Sequence, residues 1–224
     1  MSGRVSQAVK AVAVKGSARA RLLDAAFEEF AQHGLAGARV DRIADAAQAN
    51  KNLIYVYYGN KEQLFDTVLA QRMGALFDTV PFTVPFTTAD LPGFAGALFD
   101  HLLASPKLLR LHTWRHLEHG NSPAVEIEWG REKMEAIARA QNHGVITTQL
   151  EAAELLTLVL GIVTSWFHLS PIRDSATGDS GSPQRLQRHR AALTTAVRRL
   201  VVPWPHREPD GTRITPPPRH RTNQ

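Results

Sequence analysis

The stretch VDRIADAAQANKNLIYVYYGNKEQLF, Val40 to Phe65, decides the fold. Val40, Ile43, Ala44 and Ala47 recur at three- and four-residue steps, the period of one buried face on a helix of about two turns. Gln48 and Ala49 leave room only for a tight turn before Asn50, which is suited to cap the next segment, Lys51 to Tyr58; Gly59 ends that segment. Asn60 caps a further helix, with Gln63 at its third position in a variant of the capping box and Leu64, Phe65, Val68 and Leu69 on its apolar face. Two short helices joined so closely predict a helix-turn-helix unit, whose first helix crosses a nucleic-acid backbone while the second enters the major groove. The small side chains of Ala44, Ala46 and Ala47 let the two helices approach, and Ile43 with Ile54 can fill the space between them.

Upstream, Ser17 is a candidate N-cap for a helix carrying Leu22, Leu23, Ala26, Phe27 and Phe30 at helical spacing, with Gly34 as its stop. Residues 1–16 have no sustained apolar period and read as a flexible basic arm, equally a DNA-contacting arm or a solvated tail. Downstream, Pro81, Pro85, Pro92 and Gly93 mark a boundary after residue 80. Beyond it come five amphipathic or apolar segments, at roughly 89–104, 106–119, 123–143, 148–169 and 183–201, with no strand-period run between them. The expected architecture is all-α: a three-helix DNA-binding domain with a connecting helix over 17–80, joined to a larger helical domain over 81–202. The Pro- and Arg-rich stretch 203–224 has little to bury and is expected to be disordered.

The chain of 224 residues has no cysteine, so disulfides, thiolate metal clusters and a cysteine nucleophile are excluded. Its longest apolar run, Leu155 to Leu169, is too short and too polar for the roughly 18–20 residues of a membrane span. No continuous apolar core of a secretory signal stands at the N-terminus, and the expectation is a cytoplasmic protein with no membrane partner. The net charge of +5 is unevenly placed: residues 1–23 carry five basic and no acidic side chains, 24–180 are net acidic, and 181–224 are net +7. General attraction to polyanions is therefore not a property of the body of the chain. Glycine-rich phosphate loops, a GxSxG elbow and a local Ser/His/Asp signature are all missing, so neither an enzyme nor a cofactor is expected.

Lys51, Asn52 and Tyr55 stand in the first turns of the predicted second helix of the motif, where side chains reach base edges and phosphates. Asn52 can pair with adenine, whereas Lys51 can reach guanine or hold a phosphate. Tyr55, Tyr57 and Tyr58 are the chain's three tyrosines; each alone is equally a core aromatic, and Tyr58 is the best core candidate.

With these residues in view, Arg19 to Leu69 resembles the DNA-binding domain of the TetR family of bacterial transcriptional regulators. The match is carried by Ile43–Ala44, Tyr55, Tyr57–Tyr58 and Lys61–Glu62 in their relative positions. The resemblance implies that Tyr55, Tyr57 and Lys61 contact phosphates and that Lys51 and Asn52 meet bases. Departures are Gln48 for the usual turn glycine, Asn50 for the usual Ser or Thr cap, Asn52 for a glycine, and Arg39 for the Thr before the first helix of the motif. Asn50 can still cap and Arg39 can still reach a phosphate, so the departures bear on the operator sequence rather than on the binding mode.

One such unit reads one half-site, so a homodimer on a palindromic double-stranded DNA operator is expected. Leu155, Leu158, Val159 and Ile162 on one helix and Leu193, Val197 and Leu200 on another are the candidate dimer interface, with packing inside the subunit as the competing use of the same stripes. The resemblance also implies an effector pocket in the larger domain, so the chain reads as a ligand-responsive regulator, most simply a repressor released by its effector. Phe99, Trp114, Met134 and Trp166, with His112 or His168 as a polar group, are candidates to line a largely apolar pocket for a small effector. His112, His116 and His119 lie at i, i+4 and i+7, a spacing compatible with zinc, but the reading adopted is no metal. The rival reading is a helical small-molecule carrier or sensor without specific DNA binding.

Overall fold

In the computed structural model, residues 17–80, 87–118, 123–168, 175, 178, 179 and 181–203 are described. The basic arm 1–16, the tail from residue 204, Pro81, Pro85 and His119 lie outside the described residues. Among the described residues there are nine helices and no strand: α1 (Ala18–Gly37), α2 (Val40–Ala46), α3 (Asn52–Tyr58), α4 (Lys61–Thr79), α5 (Asp90–Ala104), α6 (Pro106–Glu118), α7 (Ala124–Asn142), α8 (Ala152–His168) and α9 (Pro183–Val201).

Local chemistry sets several of the ends. Ser17 accepts the Ala20 N–H, Asn60 the Gln63 N–H, and Ser182 the Arg185 N–H, each satisfying a donor that the first turn leaves open. Pro92 and Gly93 do not interrupt the chain's helices; they fall in the first turn of α5, where a missing N–H costs nothing. The segment expected from residue 148 begins instead at Ala152. The Gln141 side-chain amide donates to the carbonyls of Thr147 and Leu150 and holds 147–151 as a loop.

Helix α1 is broken at Gly34, whose φ of 70° and ψ of −176° suit glycine. Beyond the break one more turn runs to Gly37. Its orphan N–H groups at Leu35 and Ala36 donate to Glu118 from the end of α6, and Trp114 packs on Gly34 so closely that an added Cβ would lie 2.9 Å from its ring. The stop signal at Gly34 is therefore a kink completed by a helix some eighty residues away.

The first four helices enclose Leu22, Phe30, Ile43, Ile54, Leu64, Phe65 and Leu69, all fully buried, and Phe30 meets Phe65 edge to face at 5.1 Å. The larger body packs α5 against α8 and α9, and α7 against α4 and α8. Helix α6 lies along α1: Lys107 pairs with Glu28, Arg110 donates to the Gln32 carbonyl, and Glu118 caps the kink. No helix among the described residues is long and apolar enough to cross a membrane.

Candidate nucleic-acid interface and internal cavity

The turn between α2 and α3 is built by backbone hydrogen bonds. Gln48 N–H donates to the Asp45 carbonyl and Ala49 N–H to the Ala44 carbonyl, both at 3.0 Å, with Gln48 at a φ of 49°. This is the Schellman closure of a helix, with glutamine where glycine is usual. Arg21, counted in the basic head by sequence, donates its Nε–H to the Ala47 carbonyl at 2.9 Å and so ties the end of α2 to α1. Asn50 Oδ1 accepts the Asn52 N–H at 2.8 Å, which caps α3. That side chain is thereby occupied in holding the helix start.

Helix α3 divides cleanly. Ile54 and Tyr58 are buried, and the Tyr58 hydroxyl donates to the Arg19 carbonyl at 2.9 Å. Asn52, Tyr55, Val56 and Tyr57 are exposed, the last three at 46%, 73% and 42%. Val56 was not legible as a functional residue; its place one turn beyond Asn52, on the open face of the helix, is the signal that could have found it.

The two charged lysine candidates have side-chain partners. Lys51 Nζ sits 2.7 Å from Asp41, and their hydrogen bond lowers the carboxyl below its ordinary value and raises the ammonium above its own. Arg39 is exposed, while its backbone N–H is held by Glu29, which also binds Arg42. Burial raises the Glu29 carboxyl, but the hydrogen bonds from Arg42 and the Arg39 N–H prevail and hold it low. Lys61 donates to the Ala36 and Ala38 carbonyls at 3.5 and 3.3 Å, so its ammonium stabilises the end of α1 as well as standing beside the motif.

The interior of the larger body differs from the sequence expectation. A cavity of about 150 Å³ lies between α4, α5, α6, α7 and α8; Leu76, Phe77, Phe94, Leu98, Trp129 and Leu160 make up much of its wall, and His112, Glu126 and Thr164 its polar part. Of the six predicted pocket residues, only His112 lines it. Phe99 and Trp166 are buried against each other at 6.1 Å, together with His189, because α9 covers that side of α5 and α8. Trp114, which also faces the kink in α1, and the exposed His168 line a separate, more open pocket between α6 and α8, and Met134 packs against the core. The stacked pair Phe77 and Trp129, 4.5 Å apart and 13° from parallel, forms the aromatic wall instead.

Arg115, 1% exposed, joins the polar end of the cavity by an ion pair to Glu126 at 3.1 Å. Burial pushes the Glu126 carboxyl up, but His112 and Arg115 overcome it and hold it below the ordinary value; burial also lowers His116, aided by His112 and Arg115. Among the described residues no group of three or more ligating side chains could hold a metal. The guanidinium lies 3.0 and 3.2 Å from the Nε2 atoms of His112 and His116, placing a cation where a metal would have to bind.

The predicted dimer stripes are also redistributed. Leu155, Val159, Leu193 and Val197 are buried within the subunit, since α8 and α9 both close the core over α5. Leu158 remains 43% exposed, with Ile162 and Leu200 partly covered.

A helix-turn-helix with an open polar and aromatic face on α3, carried on an all-helical body, is the arrangement of a DNA-binding regulator. Residues 22–68 match the family described as bacterial regulatory proteins, tetR family, and residues 90–199 match the tetracyclin repressor-like C-terminal domain. The HTH-type transcriptional repressor SCO4008 of Streptomyces coelicolor is 38% identical over 190 residues, covering 82% of this chain and 94% of the relative. The crystal structure of the transcriptional regulator SCO4942, also of Streptomyces coelicolor, aligns with a TM-score of 0.71 at 36% identity, covering 83% of this chain and 98% of that one. FadR of Bacillus subtilis in complex with stearoyl-CoA shares the fold, with a TM-score of 0.61 at 18% identity over 80% of this chain and 95% of its own. The chain belongs to the TetR family of bacterial regulatory proteins.

Proposed function

We propose that the protein is a cytoplasmic repressor that binds a palindromic operator as a homodimer and is released by a small, largely apolar effector. Residues 17–80 form the DNA-binding head and 81–202 the effector and dimerisation body. Asn52 and Lys51 read bases, Val56 offers methyl surface to thymine, and Tyr55, Tyr57, Arg39 and Lys61 hold phosphates. Lys51 must exchange Asp41 for DNA, which makes that contact dependent on salt. Leu158, Ile162 and Leu200 are the parts of the predicted stripes left to face a second subunit.

The observation that carries this reading is that the cavity shares its walls with the supports of the head. Helix α4 runs from Lys61, beside the recognition helix, to Leu76 and Phe77 in the cavity wall. Helix α6 presents Leu108 and His112 to the cavity and Lys107, Arg110 and Glu118 to α1. An effector that fits the cavity better in one setting of these helices shifts the population of head positions by that difference in affinity. Selection of bound fragments from genomic DNA, followed by gel-shift titration with the recovered site, tests it. An inverted repeat with half-sites about one helical turn apart is expected; recovery of no enriched sequence would count for the rival carrier.

A further inference from the structure

The cavity is apolar along most of its wall and ends in a polar cluster in which the Glu126 carboxylate and the His112 imidazole line the void. Nη2 of Arg115 has two N–H groups but four acceptor atoms around it: Glu126 Oε2 at 3.1 Å, Glu126 Oε1 at 3.3 Å, and the Nε2 atoms of His112 at 3.0 Å and His116 at 3.2 Å. His112 Nε2 is also 3.1 Å from Glu126 Oε1. A single ring nitrogen cannot accept from the guanidinium and donate to the carboxylate at once. With Nε2 protonated, His112 donates to Glu126 Oε1 and the two Nη2 N–H groups remain for His116 and for Glu126 Oε2, which is buried and, among the described residues, is met by this ion pair to Arg115. Arg115 itself does not line the cavity; His112 and Glu126 do.

Resting on the reading of this cavity as the effector site, we infer that the effector is a small planar apolar molecule bearing a hydrogen-bond-donating head, an ammonium or a hydroxyl, received by Glu126 and His112. The volume, about 150 Å³, suits a body near the size of one aromatic ring, since an engineered apolar cavity of that size in another protein takes up benzene. The parallel Phe77 and Trp129 rings favour a flat body. A donating head is received by the Glu126 carboxylate that lines the cavity, whereas a carboxylate head would meet a like charge, with Arg115 behind it and outside the lining.

Calorimetric titration of the full-length protein at pH 7 with four probes sharing a phenyl ring tests this: 2-phenylethylamine, 2-phenylethanol, propylbenzene and 3-phenylpropionate. The amine and the alcohol are expected to bind about tenfold or more tightly than propylbenzene, as a hydrogen bond to a charged group implies, with 3-phenylpropionate weakest. Glu126→Gln should cost the amine about tenfold, leave propylbenzene unchanged, and separate the ammonium from the hydroxyl by reducing the alcohol less. The ranking on the unaltered protein decides the matter even if that variant does not fold. Thr164→Leu, which narrows the cavity away from the acceptor cluster, should abolish binding of all four. 3-Phenylpropionate binding as tightly as the amine, propylbenzene equalling both donors, or an amine affinity indifferent to Glu126→Gln overturns the donor head while leaving the cavity as a ligand site. Failure of all four probes to bind overturns the cavity reading and this inference with it.

Discussion

The head and the body solve opposite problems with the same helical material. In the head, Leu22, Phe30, Ile43, Ile54 and Phe65 close a core without exposure, and the candidate function is left to what projects from α3. In the body, five helices stop short of filling the space between Leu98, Trp129 and Leu160, and the candidate function lies in that void. The difference teaches that a surface recognition element needs only local order, whereas an internal site needs many elements to agree.

The strongest way to break the comparison is at the seam between the two. Gly34→Ala forces a strained φ and drives a Cβ to within 2.8 Å of Glu118 Oε1 and 2.9 Å of Trp114; a loss of about 3 kcal/mol in stability is expected from strain and overpacking. Denaturant unfolding measures it, and an unchanged midpoint would show that the seam is soft.

Next in size, Lys51→Ala combined with Tyr55→Ala should weaken operator binding by about 100-fold or more, as the loss of a base contact and a phosphate contact implies. Thermal stability should barely move, because both side chains are exposed. Equal losses of stability and DNA binding would falsify the division of α3 into a reading face and a packing face.

Acid should act on one buried or partly buried carboxylate in each region, Glu126 in the body and Glu29 in the head, and on the body alone through His116. Glu126 and Glu29 are both held below the ordinary glutamate value of 4.5, so the unfolded chain takes up protons first and stability falls as pH drops below about that value. His116, lowered from 6.5, adds an earlier loss beginning as pH falls through that range. Melting temperatures between pH 8 and pH 3 should decline on acidification, and Glu126→Gln should flatten the lower limb. A melting temperature that rises below pH 4.5 contradicts these shifts.

The smallest effect concerns the turn. Gln48→Gly relieves a left-handed residue that is not glycine and should stabilise the head by about 0.5–1 kcal/mol, less the entropy that glycine costs in the unfolded state. Chemical denaturation resolves it; destabilisation instead would mean that the Gln48 side chain contributes more than its backbone costs.

How far the sequence was legible follows the same divide. Asn50, Asn60 and Ser17 act where the chain alone placed them as caps, and Ile43, Ile54 and Tyr58 lie in the core at their expected spacing. The helical segments of the body were also legible, since period and proline placement are local signals. The cavity was not. Phe99 and Trp166 look like lining because they are large and apolar, yet whether such a side chain faces a void or a neighbour depends on where α9 lies. The leucine stripes of α8 and α9 depend on packing in the same way: of the two uses open to them by sequence, most of their members serve the subunit's own core.

By itself, then, the sequence determined helix content, the helix-turn-helix, the face of α3 and its family, because each depends on residues within a few turns of one another. Only the tertiary structure decided that Glu118 completes α1, that Arg21 ties the turn, and that His112, Arg115 and Glu126 meet at the end of a cavity. Those contacts join residues from 11 to more than 80 positions apart, and pairing over such distances depends on how the helices pack rather than on any local periodicity.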